Sequence, residues 1–160
     1  MTDIALRPML PDDVATLATI ARDAIEELAV DDYDDNQRLA WSDALEENFA
    51  QRVSRALTII ATIDGAPVGF ASLADNTHLD LLFVDPRAAR SGVATALCDA
   101  LEKLAKARGT RELTADVSDT AKPLFDARGY VALRRNTIPL GDEWLANTSM
   151  RKALVPKAVP

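Results

Sequence analysis

The sequence predicts a mixed α/β domain, in which a central, mostly antiparallel sheet of about seven strands is flanked on both faces by about four helices. Two observations lead to this prediction. The turn signal Asp64-Gly65 separates two runs rich in β-branched residues, which is typical of an antiparallel hairpin. Residues 78–117 then have the pattern strand, helix, strand, which is typical of a parallel pair. The predicted element order is β-α-α-β-β-β-α-β-α-β-β.

The first third of the chain is predicted to form one strand and two helices. Residues 4–9 have the pattern of a strand, and Pro11 with the aspartates after it starts a helix. The apolar residues of this helix recur at helical spacing: Val14, Leu17, Ala21, Ala24, Ile25 and Leu28. The acidic run of residues 31–35 ends the pattern. A second amphipathic helix is predicted from residues spaced by four: Trp41, Leu45, Phe49 and Val53.

The rest of the chain is predicted to alternate strands with two more helices. The strands are predicted over residues 56–63, 68–73, 78–84, 113–117, 130–138 and 148–154. One helix starts at Gly92 and ends at Arg108-Gly109, a cation followed by glycine. A shorter helix follows the capping residues 118–120 and ends at Gly129, and residues 139–142 join the last two strands.

Composition limits the class of protein. We expect a single domain over residues 1–160, with residues 155–160 as a frayed tail. The 18 basic and 25 acidic residues give a net charge of −7, which argues against a nucleic-acid partner and favours a neutral or cationic small substrate. Cys98 is the only cysteine, so neither an internal disulfide nor a thiolate metal cluster is expected. The chain shows no signal pattern and no apolar run of about 18 residues, so we expect a cytoplasmic protein without a membrane partner.

The segment from His78 to Thr95 is predicted to bind phosphate. A strand ends before Pro86, and a short polar loop leads to a glycine that opens a helix. The N–H groups of a first helical turn lack intrahelical partners, and the helix dipole favours an anion there. Gly92 and Ala94 allow the backbone to approach such a ligand closely. The alternative is a tight strand-helix turn that binds nothing.

This element order, centred on Val84-Asp-Pro-Arg-Ala-Ala-Arg-Ser-Gly-Val-Ala-Thr95, resembles the GNAT N-acetyltransferase superfamily over nearly the whole chain. Residues 64–70 resemble the hairpin between the second and third strands of that fold, and residues 121–130 resemble its last helix and the strand that follows. The resemblance implies a GNAT-type fold, acetyl-CoA as the acyl donor, no metal, and transfer of acetyl to an amine of a small molecule or peptide. The family's pyrophosphate motif, Gln/Arg-x-x-Gly-x-Gly/Ala, falls on Ala89, Gly92 and Ala94, so its first charged or amide side chain is missing.

The resemblance also implies a set of cofactor-binding residues. Arg90, next to Ala89, could supply the positive charge that the motif lacks. A main-chain N–H near Val84 is expected to donate a hydrogen bond to the thioester carbonyl. Many relatives use a tyrosine to protonate the CoA thiolate, and this chain has Phe125 at that position. Water or Ser118 could act as the acid instead, although Ser118 could also serve only to cap a helix. The expected cofactor-binding residues are Leu82, Phe83, Val84, Ala89, Arg90, Ser91, Gly92, Val93, Ala94, Thr95, Ser118 and Phe125.

Asp80 is the candidate general base, because GNAT enzymes often place a carboxylate four residues before the position of Val84. The alternative is a carboxylate bonded to the backbone or paired with an arginine. His78 is expected on the same strand face as Asp80, as a second base or water holder, or else as a solvated turn residue.

Tyr33 and Trp41, together with Asp80, are the candidate acceptor-binding residues. An aromatic wall beside the acidic run would suit a cationic amine, and the alternative is core aromatics beside a solvated loop. A rival function is a non-catalytic acyl-CoA-binding module on the same fold, and another is a nucleotide-binding protein of a different α/β class. The oligomeric state stays open, with a homodimer as the commonest assembly.

Overall fold

The computed structural model describes residues 3–154, and within them seven strands form one sheet. The strands are β1 (Ile4–Pro8), β2 (Leu57–Ile63), β3 (Ala66–Ala74), β4 (His78–Val84), β5 (Glu112–Ser118), β6 (Val131–Leu140) and β7 (Glu143–Ala153). Their order across the sheet is β1-β2-β3-β4-β5-β7-β6. Every neighbouring pair is antiparallel except β4 and β5, which run parallel. The predicted mixed, mostly antiparallel sheet is confirmed.

The described residues form five α-helices, one more than predicted. They are α1 (Val14–Leu28), α2 (Asp35–Glu46), α3 (Phe49–Arg55), α4 (Val93–Ala107) and α5 (Lys122–Ala127). The predicted second helix is two helices, because the backbone of Asn48 leaves the helical region with φ −134° and ψ 24°. Asparagine competes poorly for helix interiors and favours helix ends. Trp41 and Leu45 on α2 and Phe49 and Val53 on α3 still pack in or against one core cluster.

The last hairpin is longer than predicted. Strand β7 begins at Glu143, and Pro139 lies within β6, paired with Trp144, although residues 139–142 were expected to form a loop. Proline lacks the N–H that a central strand needs, but β6 is the edge strand of the sheet. The predicted frayed tail, residues 155–160, lies outside the described residues.

Two apolar cores lie on opposite faces of the sheet. One core joins the sheet to α4 and α5 through residues such as Leu97, Leu101 and Phe125. The other joins it to α1, α2 and α3 through residues such as Leu17 and Phe70. The prediction of helices on both faces is therefore confirmed. In the part of the chain that the structure describes, no helix has the length and apolar character needed to cross a membrane.

Candidate active site

The sheet opens between β4 and β5. Among residues 3–154, the two strands are paired only through His78 and Thr114, at the start of β4. Beyond that point, no strand of this described part pairs with the edge of β4 that faces β5. A cavity of about 820 Å³ lies at this split. Its size is within the range of small-molecule sites. Ligands bind in open α/β sheets where parallel neighbours part, and the cavity occupies that place.

Strand β4 contains a β-bulge at Asp80. Leu79 pairs with Leu73 and Leu81 pairs with Ser72, so Asp80 is the extra residue in β4. Leu79 packs in the α4-side core and Leu81 in the α1-side core. The bulge leaves the Asp80 side chain free to reach α3 while both neighbours stay buried.

The predicted site residues meet in this one cavity, with a single exception. The residues of that set that line it are Tyr33, Trp41, His78, Asp80, Leu82, Phe83, Val84, Ala89, Arg90, Gly92, Val93, Ala94, Thr95, Ser118 and Phe125. Ser91 is the exception, because its hydroxyl turns back and donates to the carbonyl of Ala88 within the loop.

The loop before α4 has the geometry of an anion cradle. Arg90 and Gly92 both adopt left-handed conformations, with φ of 61° and 88°. Gly92 is the N-cap of α4, and no side chain caps the N–H groups of the first turn. Those groups are therefore free to bind an anion. A Cβ on Gly92 would meet only Ile4 Cδ1, at 3.9 Å, so the glycine is required by its backbone angle and not by crowding.

Two other residues, a glycine and an aspartate, fix the position of this loop. Gly69 of β3 allows close packing, since a Cβ there would lie 2.8 Å from Val93 Cγ1 and 3.0 Å from the Phe83 carbonyl oxygen. The buried carboxylate of Asp85 accepts hydrogen bonds from the Arg87 backbone at 3.0 Å and the Arg87 guanidinium at 2.8 Å. The hydrogen bond from the Arg87 side chain lowers the pKa of Asp85. Asp85 thereby keeps the turn between β4 and the loop in one conformation.

Asp80 is paired with an arginine that the sequence analysis did not identify. Arg52 on α3 donates from Nε to one carboxylate oxygen at 2.7 Å and from Nη2 to the other at 2.9 Å. The Asp80 side chain is 17% exposed and that of Arg52 37%. The arginine pairing that the sequence left as an alternative is thus present. Each carboxylate oxygen has capacity for a further hydrogen bond, so the pairing leaves Asp80 able to contact a ligand.

His78 is held by one ring nitrogen. Its Nδ1 lies 2.7 Å from the hydroxyl oxygen of Thr114 on β5. Nε2 has no hydrogen-bond partner among the described residues, and the side chain lines the cavity. His78 is therefore an oriented cavity residue and not a solvated turn residue.

The cavity hydroxyl groups of Tyr33 and Ser118 are already engaged. Ser118 Oγ accepts from the Ala121 N–H at 3.1 Å, in the turn just before α5, and it also lines the cavity. The buried Tyr33 hydroxyl donates to the Ala146 carbonyl at 2.6 Å and accepts from the Asp119 N–H at 2.9 Å. Burial raises the pKa of Tyr33. The Tyr33 proton is therefore committed to the Ala146 carbonyl, whereas the Ser118 hydroxyl accepts a hydrogen bond and keeps its own proton.

Phe125, which lines the cavity, forms an aromatic pair with the buried Tyr130. Their rings make an edge-to-face contact, with centroids 4.8 Å apart. The Tyr130 hydroxyl donates to Glu102 at 3.1 Å, and burial raises the pKa of Tyr130 well above its usual range. Tyr130 is a core residue, so it does not replace the tyrosine that is missing at Phe125.

The aromatic wall is present, but the acidic run does not join it. The Trp41 ring contacts those of Tyr33 and Phe83, with centroids 5.5 Å and 6.1 Å apart. None of the four aspartates in residues 31–35 lines the cavity. Asp34 caps α2 through the Gln37 N–H at 2.8 Å. Of the two alternatives, the structure therefore favours core aromatics beside an acidic loop. Asp32 and Asp35 accept hydrogen bonds from Thr120 and Arg38 and do not face an acceptor in this cavity.

Residues 29–154 match the family model described as the acetyltransferase (GNAT) domain. The chain therefore belongs to the GNAT acetyltransferase family and is an acyltransferase. It is 34% identical over 151 residues to the uncharacterized N-acetyltransferase YafP of Escherichia coli strain K12, covering 94% of this chain and 97% of that protein.

Solved structures agree with this assignment. A GCN5-related N-acetyltransferase from Rhodopseudomonas palustris is 51% identical with a TM-score of 0.92, covering 96% of this chain and 97% of that one. The PaiA N-acetyltransferase of Thermoplasma acidophilum, solved with coenzyme A, shares the fold at 19% identity and a TM-score of 0.78, covering 94% and 99%.

Proposed function

We propose that this protein transfers the acetyl group of acetyl-CoA to a primary amine of a small molecule. The observation that best supports the proposal is the continuity of the open β4 edge with the uncapped, glycine-led start of α4, both in one cavity. Acetyl-CoA supplies an acetyl group activated as a thioester. The PaiA structure named above carries coenzyme A. The YncA protein of Salmonella typhimurium was solved with acetyl-CoA and shares the fold at 20% identity and a TM-score of 0.67, covering 99% of this chain and 98% of that one.

The loop fits the pyrophosphate through its backbone. Ala89 has no side-chain donor, so binding depends on the N–H groups of residues 90–95 and on the two left-handed conformations that orient them. Arg90 is exposed, and its positive charge lies beside this loop. The open edge of β4 at residues 82–84 is available to the pantetheine amides, and Phe125 offers an apolar surface to the same arm.

Asp80 is the proposed general base, with His78 as the second candidate on the same strand. In the transfer, the amine nitrogen forms the new C–N bond, the C–S bond breaks, one amine proton goes to Asp80 directly or through water, and water protonates the thiolate. Arg52 fixes the direction of the Asp80 carboxylate through two hydrogen bonds. Water is the proposed acid, because the Tyr33 proton is committed to the Ala146 carbonyl. Ser118, whose Oγ accepts from the Ala121 N–H and keeps its own proton, is the second candidate.

Replacing Asp80 by asparagine tests the proposal. We expect D80N to lower kcat at least tenfold while the Kd for acetyl-CoA stays within twofold, because the cofactor loop is untouched. Asp64→Asn, in the exposed β2–β3 turn, is the matched control. Thiol release over an amine panel gives kcat, and calorimetry gives Kd. Near-normal turnover of D80N would exclude Asp80 as the base, and acetyl-CoA binding without turnover on any amine would favour the binding module.

A further inference from the structure

A second, smaller cavity adjoins the candidate active site. Its volume is about 300 Å³, and it lies between α3 and the turn that joins β3 to β4. Asn48, Arg52 and Asp80 line both cavities. The Arg52–Asp80 ion pair is thus part of a wall that the two spaces share, and a ligand at this wall could reach into both.

Two arginines and two side-chain amides form the helix side of the small cavity. Four of its residues, Asn48, Gln51, Arg52 and Arg55, follow one another at spacings of three, one and three along the start and length of α3, so they lie on one helix face. An exposed polar helix face is normally just solvated. This face instead lines the small cavity, and two of its residues, Asn48 and Arg52, also line the cavity of the candidate active site.

Two guanidinium groups in this lining have unused donors. Arg52 binds Asp80 through Nε and Nη2, and its Nη1 has no hydrogen-bond partner among the described residues. Arg55 makes no ion pair or side-chain hydrogen bond to any residue that the structure describes. The two carboxylates in the lining are Asp80, which Arg52 neutralises, and Asp75, which lies in the turn between the strands. The Asp75 side chain also has no hydrogen-bond or ion-pair partner among the described residues, so the free groups are one carboxylate and the unused donors of two guanidinium groups. Those guanidinium donors suit an anionic oxygen ligand.

We propose that the small cavity binds the carboxylate of the acceptor and that the acceptor is a free α-amino acid with an apolar side chain. This inference rests on the proposed acetyltransferase function and specifies its substrate class. The amine and the carboxylate of an α-amino acid are separated by a single carbon atom. That short separation matches the direct contact between Asp80, which faces the amine, and Arg52, which faces the carboxylate.

The remaining walls agree with this orientation. An acceptor side chain would extend into the main cavity, where the half-buried rings of Trp41 and Phe83 line it. A second ammonium group of a polyamine would meet Arg52 and Arg55 as well as Asp75 in the small cavity, so a polyamine finds no net negative charge there. The aspartates of the acidic run, which would have suited a polyamine, lie outside both linings.

Matched acceptors isolate the contribution of the carboxylate. Leucine and leucinamide, and phenylalanine and phenylalaninamide, differ only in that the carboxylate becomes a neutral amide. The α-amine of an amino-acid amide has a pKa of about 8, which is lower than that of the α-amine in the free amino acid. At pH 8, a larger fraction of leucinamide than of leucine therefore carries a neutral amine. A preference for leucine would therefore come from its carboxylate. We expect kcat/KM, measured by CoA thiol release and confirmed by product mass, to be at least tenfold higher for each free amino acid.

Variants at Arg55 assign that preference to the small cavity. We expect R55Q to reduce the preference of amino acid over amide below threefold, mainly through KM for the amino acid, and R55K to retain most of it. Arg111→Gln, an exposed arginine on the loop before β5, is the matched control and should keep the full preference.

The possible failures are distinguishable. Acetylation of both members of each pair at similar kcat/KM, or a preference that R55Q leaves intact, would overturn the carboxylate subsite and leave the acetyltransferase function standing. Absence of thiol release and of acetylated product with every amine, amide and amino acid would overturn the proposed function and this inference with it.

Discussion

Gly92→Ala tests whether the backbone of the α4 start binds the cofactor. Gly92 has a φ of +88°, where an alanine is strained by about 1–2 kcal/mol. Crowding adds nothing, because the nearest atom to the new Cβ is Ile4 Cδ1 at 3.9 Å. The strain has two outcomes. Either the loop keeps its conformation and the folded state loses that free energy, or the loop relaxes and its N–H groups turn away from the ligand.

Gly109 provides a closely matched control on the same helix. It follows the other end of α4, has the same φ of +88°, and a Cβ added to it would have no atom within 4 Å. Gly109→Ala should therefore cost the same 1–2 kcal/mol, about 2–8 °C in Tm for a chain of this size. G109A should show this loss in full in urea or thermal unfolding, whereas G92A should show less of it, by the amount that relaxation of its loop relieves.

Acetyl-CoA affinity separates the two glycines. Because the bound state requires the cradle conformation, a G92A loop that relaxes must regain the strain on binding. This variant should therefore bind acetyl-CoA up to about 5–30-fold more weakly, which is the factor that 1–2 kcal/mol represents. G109A should bind like the wild type in calorimetry. Equal acetyl-CoA affinity of the two variants, together with a smaller stability loss for G92A than for G109A, would refute the assignment of the pyrophosphate to this backbone.

Two further predictions concern the frame of the site and its stability. Tyr33→Phe removes the hydroxyl that joins Ala146 to Asp119 and should cost about 1–3 kcal/mol in urea unfolding, since a buried carbonyl and N–H lose their partner; an unchanged midpoint would contradict this. The hydrogen bond from Arg7 lowers the pKa of Asp13 from 3.8 to about 2. Because this pKa is lower in the folded state, the ion pair adds to the free energy of unfolding fully above about pH 4, and this contribution is lost as the pH falls towards 2. In D13N, the free energy of unfolding should therefore change less with pH between 4 and 2, as measured by urea unfolding.

Local signals account for the parts of the fold that the sequence predicted well. The Asp64-Gly65 turn needs only its own residues and the strands beside it, and the structure places both residues in left-handed conformations there. Strand β4 and the start of α4 are likewise set by Pro86 and Gly92. Each of these signals acts over a few residues, so one sequence on its own, without an alignment, is enough to reveal it.

Contacts between distant residues explain what the sequence did not predict. Arg52 and Asp80 are 28 positions apart, and no local pattern links them. The break at Asn48 that separates α2 from α3 also escaped prediction, since the apolar spacing continues across it. The polar spacing of residues 48, 51, 52 and 55 was visible in the sequence, but only the concave surface beside it distinguishes a ligand site from a solvated helix face.

The bulge at Asp80 explains how a charged residue is accommodated in an otherwise apolar strand. In a regular strand Leu79 and Leu81 would face the same side, yet they are 4% and 5% exposed in cores on opposite sides of the sheet. The extra residue changes the alternation, so both leucines stay buried and the Asp80 side chain contributes to neither core. Replacement of Asp80 by the isosteric asparagine therefore leaves both cores intact, and a loss of turnover in that variant reports on proton transfer and on the Arg52 contact instead of on folding.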